Sequence, residues 1–230
     1  MYEAVHASPG GDATAARFAS TAAGQGYDGV VVRTRATEFD AAAIHERYGV
    51  DAVACAEIDA DDPGSAGGAV GNLRPEYPVV VVRGGTDAVN RFAVESDRVD
   101  VLSRPTSGSG GFNHVLAKAA ADHDTHVEFH FGPVLRSTGG PRVRALSDLR
   151  KLREIVDHYD APFVVSANAR SHLELRAPRE LRAVGETIGF DADAIDEGLR
   201  AWGGIVERNR ERLSGEFIAP GVRTGRYDER

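Results

Sequence analysis

The sequence predicts an α/β fold, and within that class a parallel (β/α) barrel of the TIM type. Short apolar, β-branched runs recur about every 25 residues, and amphipathic segments of helical periodicity separate them. Strands without interrupting polar residues indicate burial on both faces, which is typical of parallel sheets. Seven units of similar length favour a closed barrel, and an open doubly wound sheet remains the alternative.

The predicted elements alternate along most of the chain. The strands are expected at residues 2–6, 29–32, 52–58, 79–82, 99–102, 126–131 and 162–165. The helices are expected at residues 12–24, 41–48, 86–95, 112–122, 144–159 and 178–188, followed by a helical segment of mixed charge at 191–212. Because no eighth strand is visible, we expect the barrel to be incomplete or irregular in its last unit.

The domain organisation follows from the same pattern. Residues 1–215 are predicted to form a single α/β barrel domain, and residues 216–230 a flexible polar tail. The stretch DADDPGSAGGAVG at 59–71 is rich in glycine and predicts a loop insertion. A second glycine-rich stretch, at 103–111, predicts a flexible loop after a strand. Neither stretch matches the spacing of a phosphate-binding loop.

The composition indicates a cytoplasmic protein adapted to high salt. The net charge is −8, and only two of the 27 basic residues are lysines, Lys118 and Lys151. Molar salt shortens the Debye length to about 3 Å, so the acidic balance does not argue strongly against an RNA partner. The single cysteine, Cys55, lies in an apolar run and is predicted to be buried. No apolar stretch approaches the length of a membrane span.

Polar residues follow the predicted strands at corresponding places. In a parallel barrel these positions lie together at the carboxyl-terminal rim, where barrel proteins place their working sites. The mixture of arginines, carboxylates and histidines predicts a site for an anionic ligand. The residues are His6, Arg33, Glu57, Asp59, Arg83, Ser103, Arg104, Glu128, His130, Ser166 and Asn168.

A metal site is the main alternative use of this rim. His126, Glu128 and His130 alternate along one strand and therefore share one face. A stand-alone metal-dependent phosphoesterase of the PHP barrel type could use His6, Glu57, Glu128 and His130. Only one histidine follows the first strand, however, and no further cluster completes a two-metal site. An isomerase with a carboxylate base is a minor alternative, since no lysine lies at a strand end for Schiff-base chemistry.

The segment 164–181, VVSANARSHLELRAPREL, carries the strongest signal for binding. A strand ends at Ser166, and a polar loop with Arg170, Ser171 and Arg176 leads into a helix that begins near Pro178. Arginine side chains, hydroxyl groups and a helix N-terminus are suitable donors to phosphate oxygens. An ordinary helix start with solvated arginines remains the alternative interpretation.

The pattern S-x8-L-R-x-P-x-x-[LV], from Ser166 to Leu181, resembles the archaeal and eukaryotic ribonuclease P protein component 3, the 30-kDa-subunit family. Other segments of the first 190 residues resemble the same family in order and spacing. They are VDVLS at 99–103, NH at 113–114, LAKAA at 116–120, VEF at 127–129, GPVL at 132–135 and GYDGVV at 26–31.

The resemblance implies a barrel related to the PHP-type phosphoesterases that does not hydrolyse RNA itself. It implies a subunit of ribonuclease P, in which an RNA removes the 5′ leader of precursor tRNA. Expected partners are that RNA, a small protein subunit forming a heterodimer or heterotetramer with this chain, other ribonuclease P proteins and, through the complex, precursor tRNA. No cofactor is expected on this chain, whereas the RNA is expected to need Mg²⁺.

With this resemblance no residue of the chain is expected to be catalytic or to bind a metal. The residues expected to contact RNA or a partner come from two sources. The matched motif supplies Ser166, Arg170, Ser171 and Arg176. The position at the predicted rim supplies Arg33, Arg83, Arg104 and Arg136.

Overall fold

Seven parallel strands form one sheet in which each strand pairs with the next strand along the chain. The computed structural model describes residues 1–34 and 37–214, and the backbone of 217–219 and 222–223. The elements are β1 (Tyr2–Val5), α1 (Ala15–Gln25), β2 (Gly29–Val32), α2 (Ala41–Tyr48), β3 (Asp51–Asp59), α3 (Pro63–Leu73), β4 (Val79–Arg83), α4 (Asp87–Val94), β5 (Val101–Ser103), α5 (His114–Asp122), β6 (His126–His130), α6 (Gly132–Arg136), α7 (Gly139–His158), β7 (Phe163–Ser166), α8 (Pro178–Ile188), α9 (Ala192–Leu213), β8 (Phe217–Ala219) and β9 (Val222–Arg223).

The predicted barrel is confirmed, and all seven predicted strands are present within a few residues of their expected bounds. Polar residues that favour helix starts account for many of the boundaries. Thr14, Asp40, Thr86, Asn113 and Asp191 each accept a hydrogen bond from a backbone N–H in the first turn of the following helix. In the part of the chain that the structure describes, no helix combines the length and apolar character needed to cross a membrane.

The predicted loop insertion at 59–71 is wrong, because most of that stretch forms α3. Asp62 caps this helix by accepting hydrogen bonds from the backbone N–H groups of Gly64 and Ser65. Pro63 occupies the first turn, where its missing N–H has no consequence. Ala66 and Val70 are buried, one helical turn apart. Capping and packing therefore outweigh the low helix propensity of the glycines, about 1 kcal/mol each relative to alanine.

The predicted polar tail at 216–230 lies largely outside the described residues. Within it, β8 and β9 pair in antiparallel fashion.

Side chains alternate along the barrel strands between two apolar environments. One set, which includes Val30, Val80 and Phe129, packs with residues of the surrounding helices. The other set points into the barrel and packs with residues of α9. Its strand members are Ala4, Val31, Val53, Cys55, Val79, Val81, Val101 and Val164, and its helix members are Trp202, Ile205 and Val206.

The last helix thus fills the amino-terminal part of the barrel interior. The buried indole of Trp202 donates a hydrogen bond from Nε1 to the carbonyl oxygen of Val165, at 3.0 Å. Further along α9, Asn209 donates to Asp100 at 2.7 Å and Arg210 makes two hydrogen bonds to Asp51, at 2.7 and 2.8 Å. Both carboxylates lie at the amino-terminal ends of strands, so α9 is fixed across that end of the barrel.

The seam between β1 and the segment after β7 is closed by a buried carboxyl group. Val5 and Ala169 form a parallel bridge, and the N–H of His6 donates to the carbonyl oxygen of Ala169 at 2.8 Å. Oε1 of the fully buried Glu3 accepts hydrogen bonds from the backbone N–H groups of Ala167 and Asn168, at 2.9 and 3.3 Å. Burial raises the pKa of Glu3 to about 8, although these two N–H donors oppose the rise.

Replacement of Glu3 by glutamine tests this protonation state, because the amide keeps an acceptor oxygen and cannot ionise. A folded-state pKa raised from 4.5 to about 8 means that the folded protein holds an extra proton between these values. The contribution of Glu3 to the free energy of unfolding therefore falls as pH rises through this window. We expect Glu3→Gln to gain stability relative to the native chain between pH 5 and pH 8, as measured by urea unfolding in concentrated KCl.

The exposed Glu46 on α2 provides the matched control. Glu46→Gln changes an exposed side chain and should alter the free energy of unfolding by less than about 0.5 kcal/mol. A Glu3→Gln difference that does not change between pH 5 and pH 8 would contradict the neutral state of Glu3.

Candidate functional site

Arg33 lies at the centre of a polar cluster at the carboxyl-terminal end of the barrel interior. Its guanidinium is fully buried and donates to Oε1 of Glu128 at 2.7 Å and to Oε1 of Glu57 at 3.4 Å. Below it, the ring centroid of Trp202 lies 5.4 Å from its Cζ atom. Ser166 donates a hydrogen bond to the same oxygen of Glu128. One arginine therefore bridges two carboxylates and covers the apolar floor of the interior.

The charges of this cluster compensate one another. Burial disfavours the ionised form of Glu128, but the Arg33 guanidinium and the Ser166 hydrogen bond outweigh burial and lower the pKa of Glu128 to about 2. Burial likewise disfavours the charged form of Arg33, and the carboxylates of Glu128 and Glu57 outweigh it, so the pKa of Arg33 lies above its usual range. Both members of the pair are therefore ionised near neutral pH.

Two histidines flank the ion pair, and both are neutral at that pH. Burial lowers the pKa of His6 to about 4, and the positive charge of Arg33 adds to this effect. Burial also lowers the pKa of His130 to about 3, with Arg104 and Arg33 acting in the same direction against the attraction of Glu128. The Nδ1 atom of His6 lies 3.8 Å from Oε2 of Glu57.

The residues of this cluster do not fit a divalent metal ion. The four side chains suggested for a phosphoesterase, His6, Glu57, Glu128 and His130, do come together here, as the strand ends predict. Arg33, however, already supplies the positive charge between the two carboxylates. Within the described ranges, no group of three or more histidine, cysteine, aspartate or glutamate side chains has the arrangement of a metal site. That no cofactor binds this chain stays a prediction.

Two of the residues expected to contact RNA or a partner are turned inward. The side chain of Arg33 is buried in its ion pair, and Ser166 is buried against Glu128. A direct contact needs an accessible side chain, so both are better described as supports of the barrel interior.

The other expected residues lie at or near the carboxyl-terminal rim. Arg83 pairs with Asp59 at 2.8 Å, and both side chains are exposed. The exposed Arg170 donates to the carbonyl oxygen of Gly10. Ser171 caps a short 3₁₀ turn, His172–Glu174, and Arg176 donates to the carbonyl oxygens of Leu173 and Leu175 at 3.1 and 2.9 Å. Arg176 therefore also shapes its own loop.

Arg104 and Arg136 line a cavity of about 560 Å³ beside the central cluster, at the ends of β5 and β6. An Nη2 of Arg104 lies 3.1 Å from Nε2 of His130. Arg136 donates to the carbonyl oxygens of Ala167 and Asn168, at 3.1 and 3.3 Å. The opposite wall of the cavity belongs to α7.

Three features of the site were missed in the sequence. Glu3 stands in an apolar strand, and a lone carboxylate in such a run is a signal for a buried polar contact. Trp202 enters the barrel interior from a helix that follows the last barrel strand, which no local pattern indicates. Gly132 permits the close approach of two rim side chains, because an added Cβ would lie 2.0 Å from Nη2 of Arg136 and 2.4 Å from Cε1 of His130.

Fold and site together define a parallel α/β barrel of seven strands whose central polar cluster is held by an arginine. The histidinol phosphate phosphatase of Lactococcus lactis, solved with zinc, L-histidinol and phosphate, shares the fold with a TM-score of 0.55 and 8% identity, over 82% of this chain and 94% of that one. A chain in the cryo-EM structure of an archaeal ribonuclease P with mature tRNA is more similar in fold, with a TM-score of 0.84 and 22% identity over the full length of both chains.

The chain belongs to the family of the ribonuclease P subunit p30, whose model matches residues 1–214. The ribonuclease P protein component 3 of Halorubrum lacusprofundi is 62% identical, over all of this chain and 99% of that protein. The protein of the same name from Haloarcula marismortui is 61% identical, over 97% and 96% of the two chains. The resemblance drawn from the sequence motifs is thereby confirmed, and these relatives agree with the predicted adaptation to high salt.

Proposed function

We propose that this chain is a protein subunit of ribonuclease P that supports RNA-catalysed removal of the 5′ leader from precursor tRNA. Its membership of the p30 family carries the proposal. The central cluster supports a non-catalytic role, because Arg33 holds the carboxylates that a metal-dependent hydrolase would use. The chain then contributes to the activity of the holoenzyme by binding and not by chemistry of its own.

The partners follow from the same family. In this proposal the chain pairs with a small protein subunit as a heterodimer or heterotetramer, and joins the ribonuclease P RNA and other protein subunits in the cytoplasm. Precursor tRNA is reached through the complex. The RNA needs Mg²⁺, and the protein lowers that requirement by supporting the folded RNA.

The accessible arginines of the rim are the proposed contacts to RNA or to the partner subunit. They are Arg83, Arg104, Arg136, Arg170 and Arg176, with Ser171 as a hydroxyl donor in the same loop. Guanidinium groups suit phosphate oxygens because they offer planar, paired donors. Concentrated salt screens long-range electrostatic attraction, so direct hydrogen-bonded contacts are expected to contribute most of the binding free energy.

Reconstitution tests the proposal. Cleavage of precursor tRNA is measured at limiting Mg²⁺ with the RNA alone, with the RNA and either protein separately, and with the RNA, the partner subunit and this chain together. We expect faster cleavage, or cleavage at lower Mg²⁺, only when this chain and its partner are both present. Equal rates with and without this chain would reject the proposal.

A further inference from the structure

We propose that the cavity beside β5 and β6 receives one nucleotide of an RNA strand, whose phosphate is bound by Arg104, His130 and Arg136. The base lies against the apolar wall formed by Leu149 and Leu152 of α7. This inference rests on the proposed function, since it names the RNA group that the rim takes up. Four features of the cavity support it.

The first feature is His130, whose two ring nitrogens both face hydrogen-bond donors. The backbone N–H of Gly132 points to Nδ1 at 3.3 Å, and the guanidinium of Arg104 lies 3.1 Å from Nε2. A neutral imidazole carries one N–H, so in either tautomer one ring N–H faces another donor. The side chain is only 9% exposed, which leaves little access to water. A phosphate oxygen resolves the conflict, because Nε2–H and Arg104 can then both donate to it.

The second feature is Arg104 itself. In the described part of the chain its guanidinium faces His130 and forms no ion pair with a carboxylate, and its Nε is buried without an acceptor. Its backbone adopts a left-handed conformation, with φ at 51°, which is uncommon for a residue with a long side chain. The strained turn holds the guanidinium at the cavity next to His130. A half-buried arginine without a carboxylate partner is a candidate for binding an external anion.

The third feature is the balance of charge around the cavity. Arg136 is held at the rim by the carbonyl oxygens of Ala167 and Asn168, and it also pairs with Glu174 at 3.5 Å. The lining carboxylates are Glu128, which is already paired with Arg33, and Asp148. Arg104 and Arg144, which line the cavity without a carboxylate partner among the described residues, therefore leave an excess of positive charge over Asp148.

The fourth feature is size and polarity, which favour a nucleotide over a carboxylate side chain of a protein. The volume of about 560 Å³ lies in the range of pockets for small organic ligands, well above the space that one aspartate or glutamate fills. Leu149 and Leu152 are buried residues of α7 that form part of its wall. Proteins that bind an unstacked base hold it between aromatic or apolar side chains or on the plane of an arginine guanidinium, and Arg144 lines the same cavity as the two leucines.

Binding of small probes to the purified chain tests the inference in concentrated KCl. The probes are 5′-AMP, inorganic phosphate and adenosine, titrated by NMR or calorimetry. We expect 5′-AMP to bind more tightly than either of the other two probes, because it engages both the arginines and the apolar wall. Arg104→Gln should weaken 5′-AMP binding at least tenfold and leave adenosine unaffected.

Two further variants keep the test decisive. Ala145→Glu, at a half-buried lining position of α7, adds a negative charge and should also weaken 5′-AMP binding. Arg91→Gln is the matched control, since Arg91 lies exposed on α4, away from the cavity, and pairs with Glu95. It should bind like the native chain. Equal affinity of Arg104→Gln and the native chain for 5′-AMP would overturn the inference.

The same samples separate this inference from the proposed function. If 5′-AMP does not bind while precursor cleavage still depends on the chain, only the nucleotide site is rejected. If 5′-AMP binds while cleavage is independent of the chain, only the function is rejected. If the partner subunit displaces 5′-AMP and Arg104→Gln weakens its binding to this chain, the cavity serves a protein partner and the inference is overturned.

Discussion

Replacement of Arg33 by methionine is expected to lower the free energy of unfolding by about 3–5 kcal/mol at neutral pH. The change leaves Glu128 fully buried and without its counter-ion at 2.7 Å. It also removes the cation above the ring of Trp202. Methionine is of similar length to arginine, so the loss of stability is expected to come mainly from the missing charge and not from a large cavity. Chemical unfolding followed by circular dichroism measures the effect.

The pH dependence of this variant is a further part of the expected result. In the native chain the pKa of Glu128 is lowered to about 2, so its stabilising contribution is complete above pH 4.5 and is lost as pH falls towards 2. Without Arg33 the carboxyl group can avoid a buried charge by taking up a proton. The difference in stability between Arg33→Met and the native chain should therefore shrink as the pH is lowered.

Two comparisons make the Arg33 experiment specific. Arg83→Met removes an exposed pair with Asp59 and should cost less than about 1 kcal/mol. Adding Glu128→Gln to Arg33→Met removes the uncompensated charge and should recover a substantial part of the lost stability. Similar losses for Arg33→Met and Arg83→Met would show that the central ion pair is not important for the fold.

Replacement of Trp202 by alanine is expected to lower the free energy of unfolding by about 3–5 kcal/mol. The side chain is fully buried among inward-facing strand residues, and its indole N–H is bonded to the carbonyl oxygen of Val165. Alanine leaves a large cavity between α9 and the barrel and a carbonyl oxygen without that donor. Because Trp202 is the only tryptophan, circular dichroism must follow unfolding of this variant.

Leu173→Ala is the control for the loss of a large apolar side chain. Leu173 is 77% exposed at the rim, so its truncation should change the stability by less than about 0.5 kcal/mol. Trp202→Phe should fall between the two alanine variants. If Trp202→Ala were as stable as Leu173→Ala, the role of α9 in filling the barrel would be refuted.

Much of the fold could be predicted from the sequence because the barrel strands are uninterrupted apolar runs, and local composition reports their burial. The helix α3 could not be predicted, because its many glycines favour a loop in any sequence-based assignment. The burial of Ala66 and Val70, which stabilises this helix, depends on tertiary contacts. The irregular last unit was expected, but its cause was not. Trp202, Ile205 and Val206 of α9 fill the barrel interior through contacts with strands that are distant in the sequence.

The site could be predicted in position and only partly in role. Strand periodicity places His6, Glu57, Glu128 and His130 at one end of the barrel, and the structure brings them together. Arg33 turns inward to join them because it pairs with Glu57 and Glu128, which lie 24 and 95 residues further along the chain. Accessibility is a property of the assembled fold, so the sequence could not separate buried arginines from those free to bind.

The helix α9 has a consequence for the order in which this protein folds. The inward valines of β2, β3 and β4 pack against a helix that is synthesised more than 100 residues later. On the ribosome these strands therefore emerge long before the side chains that cover their inner face. Nascent chains with exposed apolar strands are prone to aggregate, so we expect the unfinished chain to be vulnerable to aggregation until α9 is available. Contacts of such long range also predict slow folding in vitro.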